Sequence, residues 1–143
     1  MKPNLSDNIG VRHGAWGEEV AARYLRAKGM EIIDRNSRPF AHDRRLEIDI
    51  VAYEPQTDTL VFVEVKQHKR FSPWQCRLRS IDRDKQDNLR KVCNSWRRKY
   101  KWDGAYRLSV MEIYGTPESG ESFVDYIENF NIFTPKSRRV SWN

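Results

Sequence analysis

The sequence predicts a single α/β domain: a mixed central sheet flanked by helices, with a short C-terminal extension. Three observations predict it. The runs LEIDIVAY (46–53) and LVFVEVKQ (60–67) read as two strands joined by the turn EPQTDT (54–59). A helical stretch precedes them, and a second helix and a further strand follow. The chain has 143 residues, 38% apolar and 32% charged, which suits one small core beneath a heavily charged surface.

The elements follow in order. Residues 11–28 read as a helix, with Gly29 placed to end it. Met30 to Asn36 is a short strand, and Ser37 to Arg45 is a loop marked by Pro39. After the two central strands, residues 68–79 form a basic, aromatic loop. Ser80 is placed to cap a helix running to about Lys101, with Asp82 and Asp84 in its first turn. Ala105 to Tyr114 is a strand, 115–120 a turn and Phe123 to Ile127 an edge strand. The tail from Pro135 reads as loosely held. The order is αβββαβ plus a C-terminal addition, with a core over about residues 10–114 and an extension over 115–143. A hairpin followed by a helical crossover makes the sheet mixed.

No stretch approaches the ~20 apolar residues of a membrane span. The N-terminal segment lacks the apolar run of a signal peptide. Cys76 and Cys93 form no CxxC pair, and His13, His42 and His68 lack metal-ligand spacing, so the histidines read as surface or loop residues. These features predict a soluble, reduced, cytoplasmic protein.

Charge is concentrated. The net charge is +6, yet residues 67–101 alone carry 12 basic and 3 acidic side chains, a net of +9. Such a segment is the footprint of a polyanion binder or simply a solvated face. Phe71, Trp74, Trp96 and Tyr100 lie within it, as candidates for stacking on bases.

The hairpin carries the chemistry. With the turn centred between Gln56 and Thr57, opposing residue numbers sum to 113. Asp49 then faces Glu64 and Glu47 faces Lys66, on one face with Val51, Phe62, Tyr53 and Leu60. Ile48, Ile50, Ala52, Val61, Val63 and Val65 share the other, wholly apolar face. Adjacent carboxylates on a central hairpin repel, and a divalent cation between them removes the repulsion. Two hard oxygen ligands suit Mg²⁺, which keeps waters and accepts phosphate oxygens. Lys66 is placed to position or activate a water, or to stabilise charge on phosphorus. Glu47 is a group beside the ligands or the partner of Lys66. The alternative is a set of ordinary cross-strand ion pairs.

Two residues interrupt apolar stripes. Glu18 falls mid-stripe on the first helix, among Ala15, Ala21, Ala22 and Leu25. It needs a partner there, either a metal with its water or an Arg or Lys. Lys85 interrupts the stripe Ile81, Leu89, Val92, Trp96 and Tyr100. It either snorkels past the apolar surface or aims at a phosphate or the carboxylate cluster.

Together these residues resemble the YraN-like family of bacterial proteins, with a restriction-endonuclease-like fold related to the PD-(D/E)xK nucleases and, most nearly, to Holliday junction resolvases. The likeness covers about residues 10–114. It rests on GAWGEEVAARYLRAKG (14–29), Asn36 and Arg38, LEIDIVA (46–52), LVFVEVK (60–66), and Ile81, Lys85 and Leu89. It implies an αβββαβ core and a nuclease cutting phosphodiester bonds with Mg²⁺ or Mn²⁺. DNA is favoured over RNA; the analogues cut branched DNA, as homodimers. By position, Asp49 and Glu64 would be metal ligands, Lys66 the catalytic lysine and Glu18 the first-helix glutamate that joins them. Glu47 and Gln67 would stand beside them. Lys69, Arg70, Trp74, Lys85, Arg97, Arg98 and Lys99 would hold the nucleic acid. The chain departs from the family at Leu46, where Gly is usual, at Gln67 and His68, where an Arg is common, and at Ser109, where Asp is frequent. A non-catalytic nucleic-acid-binding module and an RNA nuclease are the other readings of the same residues.

Overall fold

The computed structural model describes residues 9–40, 46–69, 81–130 and 132–133, with side chains from residue 14 onward. Helix α1 (Ile9–Ala27) leads into β1 (Glu31–Ser37), β2 (Ile48–Glu54) and β3 (Thr59–His68). Helix α2 (Arg83–Lys99), β4 (Ala105–Gly115), a 3-10 turn (Pro117–Ser119) and β5 (Ser122–Ile127) complete the order. The strands form one sheet in sequence order, antiparallel except for the parallel β3–β4 pair. This is the αβββαβ order of a restriction-endonuclease-like core, with one strand added at the C-terminal side. No helix among the described residues is long and apolar enough to cross a membrane.

Each helix covers one face. Ala21, Ala22 and Leu25 of α1 are fully buried against Ile50, Ala52, Val61, Val63, Met111 and Ile113. The two alanines keep that helix close to the sheet. Leu89, Val92, Cys93 and Trp96 of α2 pack with Val51, Leu60, Phe62, Leu108 and Val110 on the other face. Cys93 is a buried thiol, and desolvation pushes its pKa up, so it packs as a small apolar group. Gly29 ends α1 with φ +90°, and the bonds Gly29 N–H to Arg26 O (2.9 Å) and Met30 N–H to Leu25 O (3.0 Å) close a Schellman motif.

The hairpin has the expected register, from Glu54↔Thr59 to Ile50↔Val63. There the ladder stops. Asp49 carboxylate oxygen Oδ2 accepts the Val65 N–H at 2.8 Å, a bond a β2 backbone carbonyl would otherwise take. Ile48 and Leu46 then join the α2-side core with Val51, instead of facing α1 with Ile50 and Ala52. Strict alternation along β2 fails at Asp49, whose carboxylate reaches across to the β3 backbone. β1 stays paired to β2 as far as Ser37↔Ile48, so β3 is the strand that parts.

β1 carries its own irregularity. Ile33 is the extra residue of a bulge between Ile32↔Ala52 and Asp34↔Val51. It is 52% exposed. The shift turns Asp34 to the α2 face, where its Oδ2 accepts Trp96 Nε1–H at 2.9 Å. Trp96 is thereby buried, packed edge-on to Phe62, and is not a stacking platform for bases. The N-cap of α2 is Asp82, which accepts Lys85 N–H at 2.9 Å; Ser80 lies outside the described residues.

Candidate active site

The open end of the β2–β3 hairpin gathers the charged residues. Glu64 is 3% exposed and projects to the α2 face. Lys85 Nζ lies 2.9 Å from its Oε2. The approach is off the hydrogen-bond axis, so this enclosed oxygen has an ionic partner and no hydrogen bond among the described residues. Lys85 thus directs its ammonium at the carboxylate cluster.

Asp49 is pressed against Glu64. Burial first, then a hydrogen bond with Glu64 and the Glu64 charge, pushes the Asp49 carboxyl well above its ordinary pKa; the Val65 N–H pulls the other way. Glu18 adds a weaker repulsion. Two acids are thus held where ionising both is costly.

Glu18 and Glu47 form a second layer on the α1 side. Glu18 lies at the margin of the buried stripe, not its centre: Gly14 and Ala15 are exposed, and Gly17, Ala21 and Ala22 face inward. Its Oε2 accepts Asn36 Nδ2–H at 3.2 Å. Burial raises its pKa, Asn36 and Arg35 oppose that, and Glu47 adds to it. Glu47 accepts Arg38 Nε–H at 3.4 Å, so its ion-pair partner is Arg38 and not Lys66. Asp49, between these groups and Glu64, links the two sides of the sheet. Among the described residues no three His, Cys, Asp or Glu side chains converge tightly enough to enclose an ion by themselves. The close pair is Asp49–Glu64, a donor set suited to a cation that keeps most of its waters.

Lys66 is partly buried, two residues beyond Glu64, and makes no hydrogen bond or ion pair among the described residues. Gln67 points to the other face. A Cβ on Gly17 would lie 2.6 Å from Gln67 Oε1, so the bare backbone of α1 makes room for this side chain one residue from Glu18.

One pair was illegible beforehand. His68 is the last residue of β3, its side chain is 16% exposed, and Nε2 bonds the Glu112 carboxylate; it is neither a loop nor a surface residue. Glu112 is fully buried, and its Oε1 has no hydrogen-bond partner among the described residues. In the parallel ladder Glu112 pairs with Lys66. Even spacing signals that Leu108, Val110 and Glu112 share one face of an apolar strand, and the parallel β3–β4 ladder sets that face beside Glu64 and Lys66.

The basic residues divide. Lys69 is exposed and borders a cleft of about 580 Å³ with Tyr114 and Phe123. Arg70 and Trp74 lie outside the described residues. Arg97, Arg98 and Lys99 sit at the far end of α2, 12–14 residues past Lys85, which is roughly 20 Å along the helix axis. Arg97 is committed to packing: its guanidinium lies 3.7 Å from the Tyr106 ring centroid and Nη1–H bonds Asn94 Oδ1. Arg98 and Lys99 are exposed.

Comparison with known proteins shows the family of the chain. A relative in Bifidobacterium longum (strain NCC 2705) is 37% identical over 119 residues, covering 81% of this chain and 90% of its own. One in Rhodococcus opacus (strain B4) is 42% identical over 85 residues, covering 59% of this chain and 66% of its own. One in Syntrophomonas wolfei is 48% identical over 56 residues, covering 39% and 44%. Each is described as a UPF0102 protein, and the first match spans most of its relative while the others span two thirds or less. The family model for uncharacterised protein family UPF0102 matches residues 17–113, which hold Glu18, Asp49, Glu64, Lys66 and Lys85, and the chain belongs to that family.

Proposed function

We propose that this chain is a metal-dependent endonuclease that hydrolyses phosphodiester bonds in DNA. The observation that carries the reading is the Asp49–Glu64 clasp: β2 gives up a backbone ladder bond to press a half-buried carboxyl against a buried one. A sheet built only for stability gains nothing from that repulsion. Asp49 and Glu64 would hold Mg²⁺ or Mn²⁺, which supplies Lewis-acid polarisation of the phosphoryl group and a more acidic bound water. Glu18, with Asn36 keeping it oriented, would receive a hydrogen bond from water at the α1 side. Lys66 would hold the attacking water or the negative charge on the non-bridging oxygens. Exposed Lys69, Arg98 and Lys99 would neutralise flanking phosphates. Symmetric cleavage of branched DNA would require a homodimer.

The test is a cleavage screen over duplex, nicked, branched and single-stranded DNA and over RNA, with and without Mg²⁺ or Mn²⁺. Asp49→Ala and Glu64→Ala should lose metal-dependent cutting and keep salt-sensitive binding. Equal cutting by both variants and the parent would refute the site. Preference for RNA in the same screen would reassign the substrate. A second reading, a nucleic-acid-binding module without cleavage, draws on the Lys85–Glu64 ion pair, which compensates one carboxylate without a metal. Binding with no cutting on any substrate would favour it.

A further inference from the structure

We infer that Lys85 is a built-in counter-cation of the carboxylate pair, exchanged for the divalent ion and then free to take a substrate phosphate, so that metal and nucleic acid load cooperatively through one side chain. This rests on the metal-site reading above. Glu64 Oε2 is enclosed, lacks a hydrogen bond among the described residues, and has the Lys85 ammonium at 2.9 Å. A buried carboxylate demands a compensating charge, and Lys85 supplies it when no metal does. A divalent ion held by Asp49 and Glu64 would compete with the ammonium for that carboxylate oxygen.

The anchoring of Lys85 suits exchange. Its backbone is fixed by the Asp82 cap in the first turn of α2. Its side chain is 27% exposed against 4% for Glu64, so the ammonium has a route outward that the carboxylate lacks. A lysine head is a compact charge on a flexible stem, held here by a single contact and not by a bidentate fork. Once displaced, it lies at the edge of the site, where a phosphodiester would approach. A phosphate that draws Lys85 away leaves Glu64 to the metal, and by reciprocity a metal on Glu64 releases Lys85 to the phosphate.

The experiment measures Mn²⁺ binding to the full chain by calorimetry, with and without a DNA oligonucleotide, in a Lys66→Met background that suppresses turnover. Lys85→Met should bind Mn²⁺ about tenfold more tightly than the parent without DNA, a factor usual for coupled sites. DNA should tighten Mn²⁺ binding in the parent and leave the Lys85→Met affinity unchanged. Lys85→Arg, which keeps the charge, should stay nearer the parent. Equal or weaker Mn²⁺ binding by folded Lys85→Met overturns the inference. So does a parent whose Mn²⁺ affinity ignores DNA, a measurement that stands even if the variant fails to fold. Absence of Mn²⁺ binding in every protein, or unchanged binding in Asp49→Asn, would instead bring down the metal site itself.

Discussion

Asp49 is both a structural acceptor and a source of strain. Its folded pKa is raised, chiefly by burial and then by Glu64. The folded chain therefore keeps a proton that the unfolded chain loses, and metal-free stability falls as pH rises above the ordinary aspartate range. Asp49→Asn keeps an acceptor for Val65 N–H and removes the charge. It should flatten that slope in denaturant melts and abolish any stabilisation by Mg²⁺, which for a metal held by Asp49 and Glu64 would reach about 2.7 kcal/mol in the parent at a hundred times the Kd. Lys66 tests the chemistry separately. Lys66→Met should cut the cleavage rate by about 10²–10³-fold, the usual loss for one donor to transition-state charge, with DNA binding retained in a filter assay. His68 and Glu112 test packing: His68→Ala leaves a fully buried carboxylate without its imidazole. It should cost about 1–3 kcal/mol in chemical denaturation, the usual loss when a buried polar group loses its hydrogen-bond partner, and adding Glu112→Met should recover most of the loss.

At the scale of elements, legibility followed local regularity. The β2–β3 register was readable because alternation is strict from Val51 to Phe62 and the turn is symmetric about Gln56 and Thr57. Tyr53 Oη–H bonding Asp58 Oδ1 at 2.6 Å holds that turn, with Asp58 at φ +49°. The break at Asp49 was not readable, because a carboxylate replacing a backbone acceptor leaves no trace in hydrophobic pattern. Its consequences were missed with it: Ile48 changes face and Glu47 goes to Arg38. The Ile33 bulge hid the Asp34–Trp96 bond in the same way. Ion pairs across non-adjacent strands are equally silent. Arg107 of β4 donates to both oxygens of Glu54 on β2 at 3.2 and 3.1 Å, spanning β3. Arg107 foremost, and Thr57 after it, lower the Glu54 pKa. A lowered folded pKa contributes stability that is complete above the ordinary glutamate value and lost as pH falls through the folded one. Glu54→Gln should cost about 1.5–3 kcal/mol near neutrality and remove that part of the acid limb of the stability profile.

Across the whole molecule, the parting of β3 from β2 lets both faces of one sheet contribute to a single site. Glu18 and Glu47 come from the α1 side, Glu64 and Lys85 from the α2 side, with Asp49 between. That convergence was partly legible: the Asp49, Glu64 and Lys66 spacing was, whereas the buried Glu112 stood too far along the chain to be placed without the parallel β3–β4 pairing. The same architecture sets a length scale. Helix α2 begins at the carboxylates and ends at exposed Arg98 and Lys99, roughly 20 Å along its axis. That corresponds to about six base pairs at 3.4 Å each, so on the proposed nuclease reading, with the duplex along α2, these cations would meet distant phosphates and not the scissile one. Arg98→Ala with Lys99→Ala should therefore lower the slope of log affinity against log salt by up to about 2 on a long duplex, since each neutralised phosphate contributes about 0.9. Metal affinity should be unchanged, because neither side chain touches the Asp49–Glu64 pair. On a duplex ending within about six base pairs of the site, the same double variant should bind like the parent. Equal losses on short and long duplexes would mean that the bound strand does not follow α2, and that the basic end of this helix serves another surface.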